Sequence, residues 1–503
     1  MMEGVRARLS GWFFPAAIIA AGWWAYHNSL GGPFILDDLD AMTASPFRPE
    51  TTVAGRPVLS LSLALTRALF GPGVWGYHLV NVAIHLIAAL VLFGIIRRTF
   101  GSASQLALAV SLLWVVHPLL TSAVTYTIQR AESLMGLCYL LTLYSVIRSA
   151  QSRFPRRWLV AAVTCCALGM GTKEVMVSAP LIVLLYDRTF LTGSFRDSLR
   201  RRRALYLGLA ATWILLAVLM GGSPRSGSTG FGMQGVSAWA YAMTQPGVLL
   251  HYLRLALWPH PLVLHYGWPL TTSWREAWGP SSLIAGLLLA TLWVMRHRPS
   301  LGFLGAWVFL ILAPTSSIIP IKDPIAEHRM YLPLMALITV LVIGGWKLLE
   351  WLLPIERAAR RALAAGLTGL IVFGFGLGTI RRNEDYYTEE TIWRDTVRKR
   401  PANPQAHNGL GEVLARAGRL DEAVGHFRTA AALSPDYVDA HYNLGLAYAT
   451  QGRWADAAAC YRRALNLAPD DAEIRYHLGT ALLRQGRTEE ALAHYDASWG
   501  VRE

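Results

Sequence analysis

A chain of 503 residues that is 53% hydrophobic and 16% charged, with 19 tryptophans, is too apolar for an ordinary soluble protein of its length. Its net charge of +14 is carried unevenly: residues 1–380 hold 30 Lys+Arg against 14 Asp+Glu, whereas residues 381–503 hold 16 against 18. The densest basic run, Arg200 to Arg203, lies between apolar stretches, where cytoplasmic loops collect Arg and Lys, so the charge reports membrane topology and argues against a nucleic-acid partner. Crossing the hydrocarbon core takes roughly 20 apolar residues. The hydropathy pattern predicts spans at about 12–30, 77–97, 105–123, 131–149, 158–171, 175–187, 204–221, 281–296, 301–319, 334–351 and 362–380, the fifth and sixth being short. Arg6 and Arg8 before the first apolar run resemble a signal peptide, but without a clear small-residue cleavage site before Asp37 the segment reads as an uncleaved span. If it starts inside, 20 of the 30 basic residues fall on inner segments and an odd span number puts the tail outside. That orientation predicts an inner-membrane protein with a cytoplasmic N-terminus and a periplasmic tail. The stretch 245–266 contains LLHYLRLALW, too short to cross, and is predicted to lie in the interface or to re-enter.

The tail repeats every 34 residues. Leu410-Gly411, Leu444-Gly445 and Leu478-Gly479 recur at that step, as do Gly418, Gly452 and Gly486, then Ala423, Ala457 and Ala491, then Phe427, Tyr461 and Tyr495. This is the period of the tetratricopeptide repeat, in which small residues let the two helices of a unit approach closely; the aromatic is expected to fill the gap between neighbouring units. Three repeats are predicted at 404–437, 438–471 and 472–503. Pro401 keeps the step of Pro435 and Pro469, so residues 381–403 read as a connecting helix, the second half of an incomplete leading repeat. The fold class is all-α: a polytopic helical bundle over 1–380 with interfacial helices on its outer face, followed by an α-solenoid. Of the four cysteines, Cys138, Cys165 and Cys166 lie in apolar spans and Cys460 stands alone in the tail, so no disulfide framework follows.

Ionisable groups beside lipid are costly, and where they gather they are candidates for function. Under this topology they gather at the outer level: Asp37, Asp38 and Asp40 after the first span; His78, Asn81 and His85 on one face of the second; His117 ending the third; Gln129, Arg130 and Glu132 opening the fourth; Lys173 and Glu174 between the fifth and sixth; Glu327, His328 and Arg329 before the tenth, followed by Tyr331. Each also has a plainer reading. The paired aspartates suit a helix cap, the His78/Asn81/His85 stripe suits hydrogen bonding between helices, and Lys173 with Glu174 suits either a self-satisfied ion pair or a phosphate site. No paired CxxC, HExxH, Gly-rich phosphate loop or nucleophile elbow occurs, so no specific metal pattern is read; a divalent ion on the acidic pair is allowed but not demanded.

Asp37-Asp38, RPVLSLSLAL from Arg56, YHLVNVAIH from Tyr77, HPLLTSAVTYTIQRAESL from His117, TKE from Thr172 followed by LYD from Leu185, and AEHRMYLP from Ala326 stand in an order that, with the repeats, resembles the transmembrane and tetratricopeptide repeat-containing protein O-mannosyltransferases and their bacterial relatives, of the GT-C glycosyltransferase class. The resemblance implies a sugar donor on a polyprenyl phosphate, an acceptor hydroxyl on an exported protein gripped by the repeats, and a transferase at the outer face. It implies Asp37 or Asp38 as general base, Lys173, Arg329, His328 and Arg56 as contacts to the donor phosphate, and supporting places for Glu174, Glu327, Arg130, Glu132, His117, His85 and Tyr331. Some GT-C enzymes use a divalent ion such as Mg or Mn. Animal members usually carry Arg directly after the Glu of AER-x-LY-x-P, whereas here His328 holds that place and Arg329 follows, which leaves the phosphate contact open between the two. Transfer to a glycan or an envelope lipid, or a non-enzymatic transporter or repeat scaffold, are the alternatives. A transporter would be expected to show internal symmetry and polar residues at midplane depth.

Overall fold

The computed structural model describes residues 2–36, 38, 55–101, 104–221 and 237–499, and among them it contains helices and no strand. In chain order the helices are α1 Met2–Tyr26, α2 Pro57–Phe70, α3 Val74–Thr99, α4 Ser104–Val115, α5 Thr121–Thr125, α6 Arg130–Gln151, α7 Pro155–Met170, α8 Ala179–Tyr186, α9 Phe195–Arg201, α10 Arg203–Gly221, α11 Ala238–Leu257, α12 Trp274–His297, α13 Pro299–Leu312, α14 Pro333–Leu352, α15 Arg357–Asp385, α16 Glu389–Lys399, α17 Pro404–Arg416, α18 Leu420–Leu433, α19 Val438–Thr450, α20 Trp454–Leu467, α21 Ala472–Arg484 and α22 Thr488–Trp499. They form two units, one of residues 1–262 and 269–387, the other of 263–268 and 388–503.

In the first unit, seven helical segments among the described residues are long and apolar enough to cross a membrane, and eight if the bent pair Ser104–Val115 and Pro118–Thr125 is one span. The stretches predicted to span at 158–171 and 301–319 form helices of 16 and 14 residues. The 55° bend has a local cause. Pro118 disfavours helical backbone at the residue before it, and His117 accordingly sits at φ −71°, ψ 126°. The chain then turns through two short 3-10 segments and α5 before α6 opens at Arg130. The ambiguous 245–266 stretch belongs largely to α11, a 20-residue helix with Pro246 inside it that buries Tyr241, Thr244, Gln245, Val248 and Tyr252.

In the second unit, α17 to α22 form three helical pairs, and α16 is the half-repeat before them. Gly418, Gly452 and Gly486 turn each pair at φ +77°, +74° and +80°, left-handed backbone that glycine alone adopts without strain. A Cβ on Gly411, Gly445 or Gly479 would fall 2.6, 2.6 and 2.9 Å from the rings of Phe427, Tyr461 and Tyr495. The aromatic fills the space opened by the glycine of its own repeat, and Tyr461 also lies 5.8 Å from the ring of His477 in the next repeat. Trp393 of α16 meets Gly409 in the same way, and Asn403 caps α17 by accepting from the N–H groups of Gln405 and Ala406. Within this unit Asn403 also donates to the carbonyl of His265, at 2.9 Å.

Candidate active site

Five separated stretches of the first unit converge. Lys173 ends the turn after α7 with extended backbone, φ −158°, ψ 144°. Successive side chains of an extended segment point opposite ways, and Lys173 and Glu174 do not pair with each other. Lys173 Nζ lies 2.6 Å from Glu132 of α6, both buried, and Glu174 faces Arg56 at 3.3 Å. The self-satisfied pair read from adjacency is thus replaced by two crossed pairs. Val58, the second residue of α2, donates its N–H to the carbonyl of Gly171 at 3.0 Å, which ties the chain beside Arg56 to the turn before Lys173.

His328 stands in the field of these cations. Burial first, and then the charges of Lys173, Arg329 and Arg56, hold its imidazole well below the usual histidine range, so it is neutral at pH 7. Arg329 is buried and donates to the carbonyls of Pro324 and Asp323 at 2.8 and 2.7 Å, clasping its own loop. That loop is pinned to α11, where the Tyr252 hydroxyl donates to the Ala326 carbonyl (2.9 Å) and accepts the Ala326 N–H (2.8 Å). Glu327 faces Arg382 of α15 at 3.9 Å, and Arg382 also binds Asp385 at 2.9 Å. Arg382 is absent from the residues expected at the site; its signal in the sequence is an arginine at the end of an apolar run.

The other named residues hold helices together. The Tyr331 hydroxyl lies 3.0 Å from His85 Nδ1, while His85 Nε2 lies 3.0 Å from the Val115 carbonyl, which fixes the proton on Nε2 and leaves Nδ1 to accept. Gly136 has no Cβ to block the Tyr331 ring, which would otherwise meet it at 2.6 Å. His117 is bound on both nitrogens, by the Leu119 N–H and the Ala256 carbonyl. Fully buried Arg130 donates to Asn81, Thr66, the Ser62 carbonyl and the Tyr77 carbonyl, joining α2, α3 and α6. Asn81 also donates to Val124, and His78 bonds the Gly32 carbonyl, so the stripe on α3 works as the interhelical contact that its spacing allowed.

Asp38 is wholly buried after Leu36, which has φ +48°. Its Oδ1 accepts the Ile128 N–H at 2.6 Å and its Oδ2 the Ile35 N–H at 3.1 Å. Asp37 and Asp40 lie outside the described residues. Among the described residues, no three His, Cys, Asp or Glu side chains are grouped to hold a metal. Chemically, Lys173 and Arg56, each held by a carboxylate, and the buried Arg329 are donors of the kind that bind an anion.

Residues 52–220 match the family profile described as dolichyl-phosphate-mannose-protein mannosyltransferase, and residues 413–452 and 442–498 match tetratricopeptide-repeat profiles. Over 499 residues the chain is 25% identical to "Protein O-mannosyl-transferase TMTC1" of Homo sapiens, with 84% of this chain and 55% of that protein covered. It is also 25% identical over 482 residues to "Protein O-mannosyl-transferase Tmtc3" of Drosophila melanogaster, covering 80% and 51%. The chain spans about half the length of these curated relatives. Among solved structures, a crystal structure of MamA is similar at 21% identity and a TM-score of 0.22, over 32% of this chain and 86% of that one, a likeness too slight to bear on function. The similarity to these relatives covers 80–84% of this chain and takes in parts of both the membrane region and the repeats.

Proposed function

We propose that this relative of the protein O-mannosyl-transferases is a multi-pass membrane glycosyltransferase that moves a sugar, mannose by family inheritance, from a polyprenyl phosphate to Ser or Thr hydroxyls of exported proteins at the outer face of the membrane. The observation that carries the reading is the crossed ion pairing that holds Lys173 on Glu132 and Arg56 on Glu174 from separate stretches of chain, an electrostatic frame for a lipid phosphate. The acceptor oxygen attacks the anomeric carbon and gives its proton to an aspartate. The bond between that carbon and the phosphate oxygen breaks, and the phosphate leaves with the electron pair, its charge met by Lys173 and Arg56. Both oxygens of Asp38 accept backbone N–H bonds, which favours Asp38 as the holder of the loop and Asp37 as the base. Glu132 and Glu174 orient the two cations, and the repeats offer a helical surface to the acceptor.

The test is transfer of labelled mannose from polyprenyl-phosphate-mannose to membrane-extract proteins by the purified chain. Transfer is expected, with Asp37→Asn reducing kcat by at least about a hundredfold, in keeping with loss of a general base. Label in glycan or lipid fractions with none in protein would move the acceptor to the cell envelope. Absence of transfer from every donor, or indifference to Asp37→Asn, Asp38→Asn and Lys173→Met alike, would overturn the enzyme.

A further inference from the structure

A second charged site lies at the other end of the membrane helices. From His78 to Thr99, α3 rises about 32 Å at 1.5 Å per residue, the thickness of a hydrocarbon core. There the Thr99 hydroxyl meets that of Tyr186 at 2.7 Å, and the next residue, Asp187, is wholly buried. The helix widens to π geometry over Asp187–Thr192 and stops at Gly193, φ +79°, after which Ser194 caps α9. Tyr206 of α10 donates to Asp187 Oδ2 at 2.7 Å, and Arg202 Nη1 lies 3.6 Å from Oδ1. Arg202 is thereby turned inward, and its neighbours face out.

Those neighbours line an open cavity of about 720 Å³: Arg196, Leu199, Arg200, Arg203, Tyr206 and Leu207. Among the described residues no ion pair takes up Arg196, Arg200 or Arg203, whereas Arg202 beside them has Asp187. Leu199 and Leu207 are 44% and 72% exposed, leucines that water would disfavour and acyl chains would cover. A solvated basic face accounts for the arginines but not for leucines set among them around a cavity at the mouth of a spanning helix. Three guanidinium groups present planar pairs of N–H donors matched to phosphate oxygens, and the leucines suit the start of acyl chains.

We infer that this cavity binds the headgroup of an anionic phospholipid, on the membrane face opposite the candidate active site. The Asp187–Arg202–Tyr206 contact ties the start of α10 to the π segment that precedes α9.

The test uses the full chain, purified in uncharged detergent and titrated with phosphatidylglycerol, with phosphatidylcholine of the same acyl chains, and with inorganic phosphate, followed by native mass spectrometry. Phosphatidylglycerol is expected to be retained over phosphatidylcholine by at least about tenfold, as three arginines near one anionic headgroup imply. Replacing Arg196, Arg200 and Arg203 together by Gln should bring the ratio near one while the lipid-free melting temperature stays within about 2 °C of the parent, a shift expected of exposed positions. Should the triple variant unfold, Arg200→Gln alone must still lower the ratio. A ratio unchanged in the variants, or phosphatidylglycerol displaced by millimolar inorganic phosphate, would overturn the lipid site, the second result marking it as a site for free phosphate.

Discussion

At the scale of single residues, the site is governed by who neutralises whom. Lys173 and Glu132 are buried 2.6 Å apart, so removing one partner strands the other's charge. Glu132→Gln is expected to destabilise the protein by about 3–5 kcal/mol, and the double variant Glu132→Gln/Lys173→Met by less, as measured by denaturation in detergent. A loss in the double variant equal to the sum of the Glu132→Gln and Lys173→Met losses would mean that the two do not interact. His328 makes a second prediction. Its imidazole binds its proton less readily folded than unfolded, so below the unfolded value of about 6.5 the unfolded chain holds more protons and stability falls as pH drops. The melting temperature should therefore decline between pH 7 and pH 5, and His328→Gln should flatten that decline. An unchanged slope would assign the acid sensitivity to other groups. Sequence adjacency suggested a Lys173–Glu174 pair; it could not show the extended backbone at Lys173, which sends the two side chains to Glu132 and Arg56.

At the scale of elements, close approach is set by small residues that the repeat period made visible. The 34-residue step located Gly411, Gly445 and Gly479 but not the contact of each with the ring of its own repeat, because period alone does not say which of two flanking helices a ring meets. Gly445→Val, whose Cβ would fall 2.6 Å from the Tyr461 ring, should cost about 1–3 kcal/mol through overpacking and raise hydrogen exchange in α19 and α20. Exchange raised equally in all six repeat helices would instead show that the solenoid melts as one unit. In the membrane part, the kink at His117 was written in the sequence as His-Pro, yet the hydrogen bonds of His117 to Leu119 and Ala256 were not, since the second partner is 139 residues away.

At the scale of the whole molecule, the proposed orientation is open to direct measurement. In otherwise cysteine-free protein in intact cells, a membrane-impermeant thiol reagent should label Asp470→Cys, exposed between α20 and α21, and should reach Gln151→Cys, exposed at the end of α6, only after permeabilisation. The reverse pattern would invert the topology and remove the outer-face reaction. The sequence by itself determined the helical class, the membrane character and the three repeats, because lipid burial and helix pairing impose local signals: long apolar runs, and small residues at a fixed step. It also marked Arg56, Glu132, Lys173 and Glu174, which pair in the structure. Only the tertiary structure decided the partners: Glu132 for Lys173, Arg382 for Glu327, Tyr331 for His85, and the Ile128 N–H for Asp38. Electrostatic and hydrogen-bond pairing acts through space over about 3–4 Å, and which groups come that close is fixed by helix packing across tens to hundreds of residues of chain.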